Sequence, residues 1–260
     1  GSEVMAQLNA RLVEVECAKP RALVIRSAKD SGFIAGADIS EFTGLADAGQ
    51  AYRLVRTGQQ VFDRIEALPM PTAAAIHGFA LGAGLELALA CDYRVGADDG
   101  RLNLGLPEVL LGIHPGFGGT VRTPRLIGAP AALDLMLTGR SLRGDAALKL
   151  GLIDRLVPRE GLDAAAREIA LAAPPPRRAS MALRLLELPL LRSLVAARTE
   201  KQVARRANRA HYPAPYAIID LFARHGARGA AAFEAEARSI ASLFLSESSR
   251  NLVRVFFLQN

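Results

Sequence analysis

This 260-residue chain has no tryptophan, only 5% aromatic residues and just two cysteines, Cys17 and Cys91. Two thiols in a chain of this length cannot build a disulfide framework; free buried thiols in a reducing, cytoplasmic compartment are the expectation. No uninterrupted apolar run approaches the roughly 18 residues that a membrane-spanning helix needs. Residues 4–15 do not read as a signal peptide, because Val4, Met5, Leu8, Leu12 and Val15 alternate with polar residues at helical spacing. Common catalytic signatures are missing too. No lysine follows a glycine run as in a phosphate-binding loop, there is no Gly-x-Ser-x-Gly elbow, and residues 116–121 lack the last glycine of a dinucleotide fingerprint. His77, His114, His211 and His225 are scattered without metal-ligand spacing. The expectation is therefore a domain with no metal site, no resident redox cofactor and no serine or cysteine nucleophile.

What the chain does have is apolar bulk: half its residues are hydrophobic, enough for a sizeable core. Short apolar runs at 22–25, 72–76, 93–95, 102–104 and 153–157 read as buried strands. Helical periodicity marks residues 54–68 (ended by Pro69 and Pro71), 85–90, 131–137 and 162–171, with a glycine-rich turn at 78–84. Strands alternating with helices predict an α/β layered domain over residues 1–173. Pro174, Pro175 and Pro176 then form a stiff break, because consecutive prolines lack donors and hold the chain extended. Residues 174–260 read as a helical extension.

The net charge of +6 is unevenly placed. Residues 177–209 carry nine basic and two acidic side chains, a charge of +7 that leaves the rest of the chain near −1. Such a stretch is a solvated helical face, a rim that attracts an anionic ligand, or a nucleic-acid surface. The lack of interleaved aromatics weighs against single-stranded nucleic acid.

Three segments look chemical. In 33–39, small residues lead from an apolar approach to Asp38, leaving the backbone open at Gly36 and Ala37; Asp38 there also reads as a helix cap. In 78–88, small residues would let a ligand approach the main chain, and a helix starting near Gly84 would aim free N–H groups at it. Glu86 is the only acid in that apolar run. It suits the helix dipole, but an acid in apolar surroundings also has a raised pKa, which fits proton transfer near neutral pH. In 104–120, Glu108 is likewise a lone acid among turns. Two such acids beside glycine-rich turns point to paired general acid–base work, on a bond that spacing alone leaves open.

Taken together, "FIAGADISEF", "GFALGAGLELALACDYRV", "LGLPEVLLGIHPGFGGTVRTPRLIG" and "LTGRSLRGDAALKLGLIDRLV" closely resemble the crotonase (enoyl-CoA hydratase/isomerase) superfamily, nearly unbroken over residues 33–158. They look most like the hydratase domain of multifunctional fatty-acid oxidation enzymes. "HYPAPYAIID" and "NLVRVFFLQ" resemble the segment that links that domain to a hydroxyacyl-CoA dehydrogenase domain. The resemblance implies a spiral of ββα units with a helical extension. It implies hydration of trans-2-enoyl-CoA to 3-hydroxyacyl-CoA in β-oxidation, with 3-2-enoyl-CoA isomerisation as the close alternative.

By the same resemblance, Glu86 and Glu108 are the catalytic pair and hold one water. The backbone N–H groups of Ala37 and Ala83 form the oxyanion hole, and Ala35, Gly36, Asp38 and Gly82 meet the substrate. Position 83 is alanine where many relatives have glycine, so the N–H survives and a methyl is added beside the thioester. No cofactor is implied for this part; NAD belongs to a dehydrogenase domain, if the parent chain has one. Only about twenty residues precede Ala22, where relatives begin with a strand hairpin, and the chain stops where a dehydrogenase domain would follow in the multifunctional relatives; a late natural start, an omitted piece, an excised domain and a natural short homologue all fit. Crotonase domains commonly form trimers, whereas multifunctional α chains pair with a thiolase β chain, and the tail resembles the latter kind. RNA binding through residues 177–209, known for some crotonase-fold proteins, is the reading from another class; the arginines' direction decides between an acyl-CoA entrance and an outer stripe.

Overall fold

The computed structural model describes residues 2–45 and 47–259, so the outermost positions of both expected segments, Gly1 and Asn260, lie outside the described residues. The order of elements is α1 (Ser2–Ala18), β1 (Leu23–Arg26), α2 (Ser40–Thr43), α3 (Ala48–Glu66), β2 (Thr72–Ile76), β3 (Phe79–Leu81), α4 (Ala83–Ala90), β4 (Tyr93–Ala97) and β5 (Asn103–Gly105). It continues through α5 (Gly119–Ile127), α6 (Ala129–Thr138), β6 (Ser141–Arg143), α7 (Gly144–Leu150), β7 (Arg155–Val157) and α8 (Leu162–Ala172). Five helices follow: α9 (Met181–Leu185), α10 (Pro189–Ala204), α11 (Pro213–His225), α12 (Ala230–Phe244) and α13 (Glu247–Gln259).

Two sheets organise the first part. One is wholly parallel in the order β1-β2-β4-β7; the other has the order β3-β5-β6, with β3 and β5 parallel and β6 antiparallel to β5. Successive strands alternate between the sheets, as β2 then β3 and β4 then β5, and helices follow each pair. β2 shows why its sequence is apolar throughout. Ala74 sits between Ile25 and Arg94 in register. Ala74 and Ile76 face the main core, while Ala73 and Ala75 face Leu162, Ala166 and Ile169 of α8. Both faces of the strand are covered, so neither is polar.

The C-terminal helices share these cores. Ala196, Ile218, Ile219 and Phe222 join the main cluster, and Ile240 and Phe244 of α12 pack with Ala51 and Val55 of α3. Each large apolar side chain buried there contributes about 1.5–3 kcal/mol. The Phe62 and Phe117 rings meet edge-on at 5.7 Å, pinning the loop before α5 to α3.

Several expectations change. The glycine-rich 78–84 stretch contains a strand, β3, because pairing to β5 supplies the hydrogen bonds that glycine's propensity disfavours. Residues 119–127 form a helix despite Pro124. Cys91 is buried as expected, but Cys17 is exposed; both are free thiols. No helix among the described residues is long and apolar enough to cross a membrane.

Three residues of the basic stretch make separate local contacts. Arg192 donates to the carbonyls of Ala223 and Arg224 at the C-terminus of α11, where the helix dipole favours a cation. Arg209 pairs with Glu200 and Asp220, and Arg177 lies 3.7 Å from Asp154.

Candidate active site

The site is built where β3 passes into α4. Gly82 ends the strand with φ +53°, a backbone that non-glycine residues rarely adopt, and its N–H donates to the Gly105 carbonyl. This turn starts α4 at Ala83 and buries Glu86, which is 1% exposed, one turn inside the helix. The segment carrying Ile34 runs alongside β3: Ile34 bridges Ala80, and its carbonyl accepts the Leu81 N–H at 3.0 Å. Ala37 and Ala83 therefore come to the same cavity, of about 580 Å³, which Ala35, Gly36, Gly82, Glu86 and Glu108 also line. Among the described residues, neither the Ala37 N–H nor the Ala83 N–H donates to another group. The latter is one of the orphan donors that every helix start leaves.

Glu108 enters from the opposite wall on a 3₁₀ turn, Pro107–Leu111, closed by Gly112 in the left-handed conformation. A Cβ on Gly82 would sit 3.1 Å from Glu108 Oε1, so the small residue at 82 gives this carboxyl its room. Glu108 Oε2 is enclosed without a hydrogen-bond partner among the described residues. Burial pushes the Glu108 carboxyl up to about 8, with Glu236 adding to the rise.

Glu86 differs. Its Oε1 accepts the N–H groups of Phe117 at 2.8 Å and Gly119 at 2.7 Å. Burial, then the charges of Glu108 and Glu236, push its carboxyl well above the usual range, while the two N–H groups pull it back. Donors on Glu86 favour its ionised form, and the orphaned oxygen on Glu108 favours a proton there.

Asp38 does not line the cavity. It is exposed, and its carboxylate accepts the N–H and hydroxyl of Ser40, the capping alternative. His114 does line the cavity, but Nδ1 engages the Pro115 carbonyl and Nε2 the Ser239 hydroxyl; burial lowers its pKa to about 4, leaving it neutral. Among the described residues, no three His, Cys, Asp or Glu side chains converge as metal ligands.

Sequence reasoning missed what α12 and α13 bring. Ile240, Phe244, Val253 and Phe257 supply apolar wall, and the exposed Arg250 and Arg254 stand on its rim. The cavity's positive charge comes from α13, and no residue of 177–209 lines it. The missed residue deepest in the site is Glu236 of α12, fully buried against the loop before α5. Its sequence gives no warning, since Glu234 and Glu236 flank one alanine on an ordinary amphipathic helix.

The family model described as enoyl-CoA hydratase/isomerase matches residues 2–210. The fatty acid oxidation complex subunit alpha of Aliivibrio fischeri is 44% identical over 247 residues, covering 94% of this chain and 36% of that protein. Its counterpart in Shewanella putrefaciens is 46% identical over 242 residues, covering 91% of this chain and 34% of that protein. The chain thus spans about a third of the length of these curated relatives. Among solved structures, an enoyl-CoA hydratase from Bacillus anthracis superposes with TM-score 0.61 at 34% identity, over 81% of this chain and 84% of that one. Human mitochondrial delta3-delta2-enoyl-CoA isomerase superposes with TM-score 0.71 at 23% identity, over 100% of this chain and 88% of that one, a likeness of fold.

Proposed function

Because the chain belongs to the enoyl-CoA hydratase/isomerase family, with its crotonase fold and enoyl-CoA hydratase activity, we propose that Glu86 and Glu108 hold one water and add it across a trans-2-enoyl-CoA. The family acts on CoA thioesters without a separate cofactor. The observation that carries the assignment is convergence: two buried carboxyls and two undonated N–H groups line one largely apolar cavity.

In this reading the thioester oxygen sits between the Ala37 and Ala83 N–H groups, which stabilise the enolate as charge reaches it. Donors of this kind are worth roughly 100–1000-fold in rate. Glu86, ionised and oriented through Oε1, takes a proton from the water as its oxygen bonds to C3. Glu108 gives its proton to C2. The product gains one hydroxyl and one hydrogen, and the pair is reset when the proton on Glu86 returns to Glu108 through the next water. Ala35, Gly36 and Gly82 flank the reacting end. Asp38 orders the turn that carries Ala37, a role one step removed from the substrate contact expected of it. Arg250 and Arg254 offer charge for the CoA phosphates.

The deciding experiment is hydration of a short trans-2-enoyl-CoA by Glu108→Gln. Turnover should be lost with CoA-ester binding retained; wild-type-like turnover would sink the mechanism. Isomerisation is the second reading, favoured by the unpartnered Glu108 Oε2, which alone could carry a proton between C2 and C4. Glu86→Gln separates the two: isomerisation survives it and hydration does not.

On the larger scale, residues 1–173 are the hydratase domain and residues 174–260 a helical extension that closes its site. The relatives' names support a role for this part within a fatty acid oxidation complex. On that likeness we propose β-oxidation as the setting, a cytoplasmic location, and a thiolase β chain or further copies of this chain as partner, with NAD used only where the parent chain has a dehydrogenase domain. The local contacts of Arg177, Arg192 and Arg209 take three of the nine basic side chains of 177–209 out of any continuous RNA surface.

A further inference from the structure

Glu236 lies outside the catalytic pair, yet it is fully buried and takes four donors. Oε1 accepts the Gly118 N–H at 2.6 Å and the Gln59 amide at 2.9 Å; Oε2 accepts the Thr120 N–H at 2.9 Å and the Thr120 hydroxyl. With the Glu86 bonds included, the four successive N–H groups of residues 117–120 alternate between two carboxylates: Glu86, Glu236, Glu86, Glu236. The carbonyl side of the loop is fixed as well. The Gln59 amide donates to the Gly116 carbonyl, and Arg122 donates to the Phe117 carbonyl while stacked on Phe233.

The alternation has a geometric consequence. A loop with consecutive N–H groups pointing to opposite sides can direct only every second one at Glu86. We propose that Glu236 is a positioning residue that, by drawing the Gly118 and Thr120 N–H groups to its own side, fixes the Phe117 and Gly119 N–H groups on Glu86 Oε1 and leaves Oε2 free to hold the attacking water. A neutral side chain at 236 could not accept from both backbone donors and the hydroxyl at once. The loop would then relax, and the Glu86 carboxyl would turn with it.

Glu236 also acts through its charge: burial pushes its own carboxyl up, and the Thr120, Gln59 and Gly118 donors pull it back towards the ionised form. The groups around it are Glu86 on α4, Glu108 on the 3₁₀ turn, Arg122 on α5, bonded to Glu66 and Asp63 of α3, and neutral His114 beside Ser239. On its own helix Glu234 and Arg238 pair with each other, and Glu234 also meets Arg56 of α3; on α13, Arg250 and Arg254 stand on the cavity rim, and on α11 Asp220 is held by Arg209. Glu236 is thus a like charge beside the base and raises its proton affinity.

This inference rests on the hydratase reading, and three measurements separate the two. In Glu236→Gln, kcat for a short trans-2-enoyl-CoA should fall at least tenfold with KM changed less than about threefold. The acid limb of the kcat profile should move to higher pH, because releasing the Phe117 and Gly119 N–H groups removes two donors that favour ionised Glu86, which outweighs the loss of one like charge. Thr120→Val, which removes one donor from Glu236 and none from Glu86, should move the limb the same way by less, and it serves if the first variant does not fold. A fall in kcat with an unmoved pH profile makes Glu236 merely structural and overturns the proposal, as does wild-type kcat. Failure of the hydratase reading shows differently, as full turnover in Glu86→Gln on the wild-type background at 236.

Discussion

Gly84 of α4 and Ile34 approach so closely that a Cβ on the glycine would lie 2.3 Å from the Ile34 carbonyl oxygen and 2.7 Å from its Cβ. No real side chain fits there, and backbone, not a flexible side-chain tip, is what it would strike. The contact sets the distance between the two strands of chain that present the Ala37 and Ala83 N–H groups. Gly84→Ala should therefore separate the donors: kcat should drop by tenfold or more, and the melting temperature should fall by the equivalent of about 1–3 kcal/mol of overpacking. Steady-state kinetics and thermal unfolding of the same sample check both; an unchanged kcat would mean the spacing does not matter.

For the catalytic pair, Glu86→Gln and Glu108→Gln should each lower hydration by roughly 100–10,000-fold. The double variant should be scarcely worse than the worse single one, since the two act on one water. Additive losses would separate their roles.

The buried acids also set a pH dependence of stability. The Glu108 pKa rises on folding from 4.5 to about 8, so the folded state holds a proton that the unfolded chain releases. Stability contributed by that proton is full below pH 4.5 and is lost as pH rises through 8. His114, lowered from 6.5 to about 4, works the opposite way, but only below 6.5. Between pH 6.5 and 8 the ligand-free protein should lose stability, by up to about 1.4 kcal/mol per pH unit per proton. Denaturant midpoints across that window should show the slope, and Glu108→Gln should reduce it, leaving the share of Glu86 and Glu236, whose carboxyls burial also raises; an equal slope in the variant assigns it to other groups.

Arg250 and Arg254 predict a charge-selective entrance. Replacing both with alanine should raise KM several-fold for an enoyl-CoA and leave it nearly unchanged for the corresponding enoyl-pantetheine thioester, which lacks the nucleotide phosphates. The difference should shrink in high salt, because rim charges are screened. Equal effects on both substrates would place the CoA phosphates elsewhere.

The sequence by itself determined the elements whose signal is local. β2 occupies the run of residues 72–76 read as a strand, α4 follows the glycine-rich turn, and Glu86 and Glu108 stand out because an acid among leucines, alanines and turns is costly unless used. Local pattern failed where pairing overrides it, as in β3. It also failed wherever a role depends on residues distant in the chain. Asp38 read from its residues as a cap and from the resemblance as a substrate contact, and its exposed position outside the cavity favours the cap. The 177–209 arginines looked like one basic feature, but folding gives Arg177, Arg192 and Arg209 three different neighbours. Glu236 stands 150 positions after Glu86, on a helix whose acids resemble any solvated pair. Only the packing of α12 against α3 brings it to the loop that Glu86 also holds, because burial and hydrogen bonding between remote segments leave no periodicity to read.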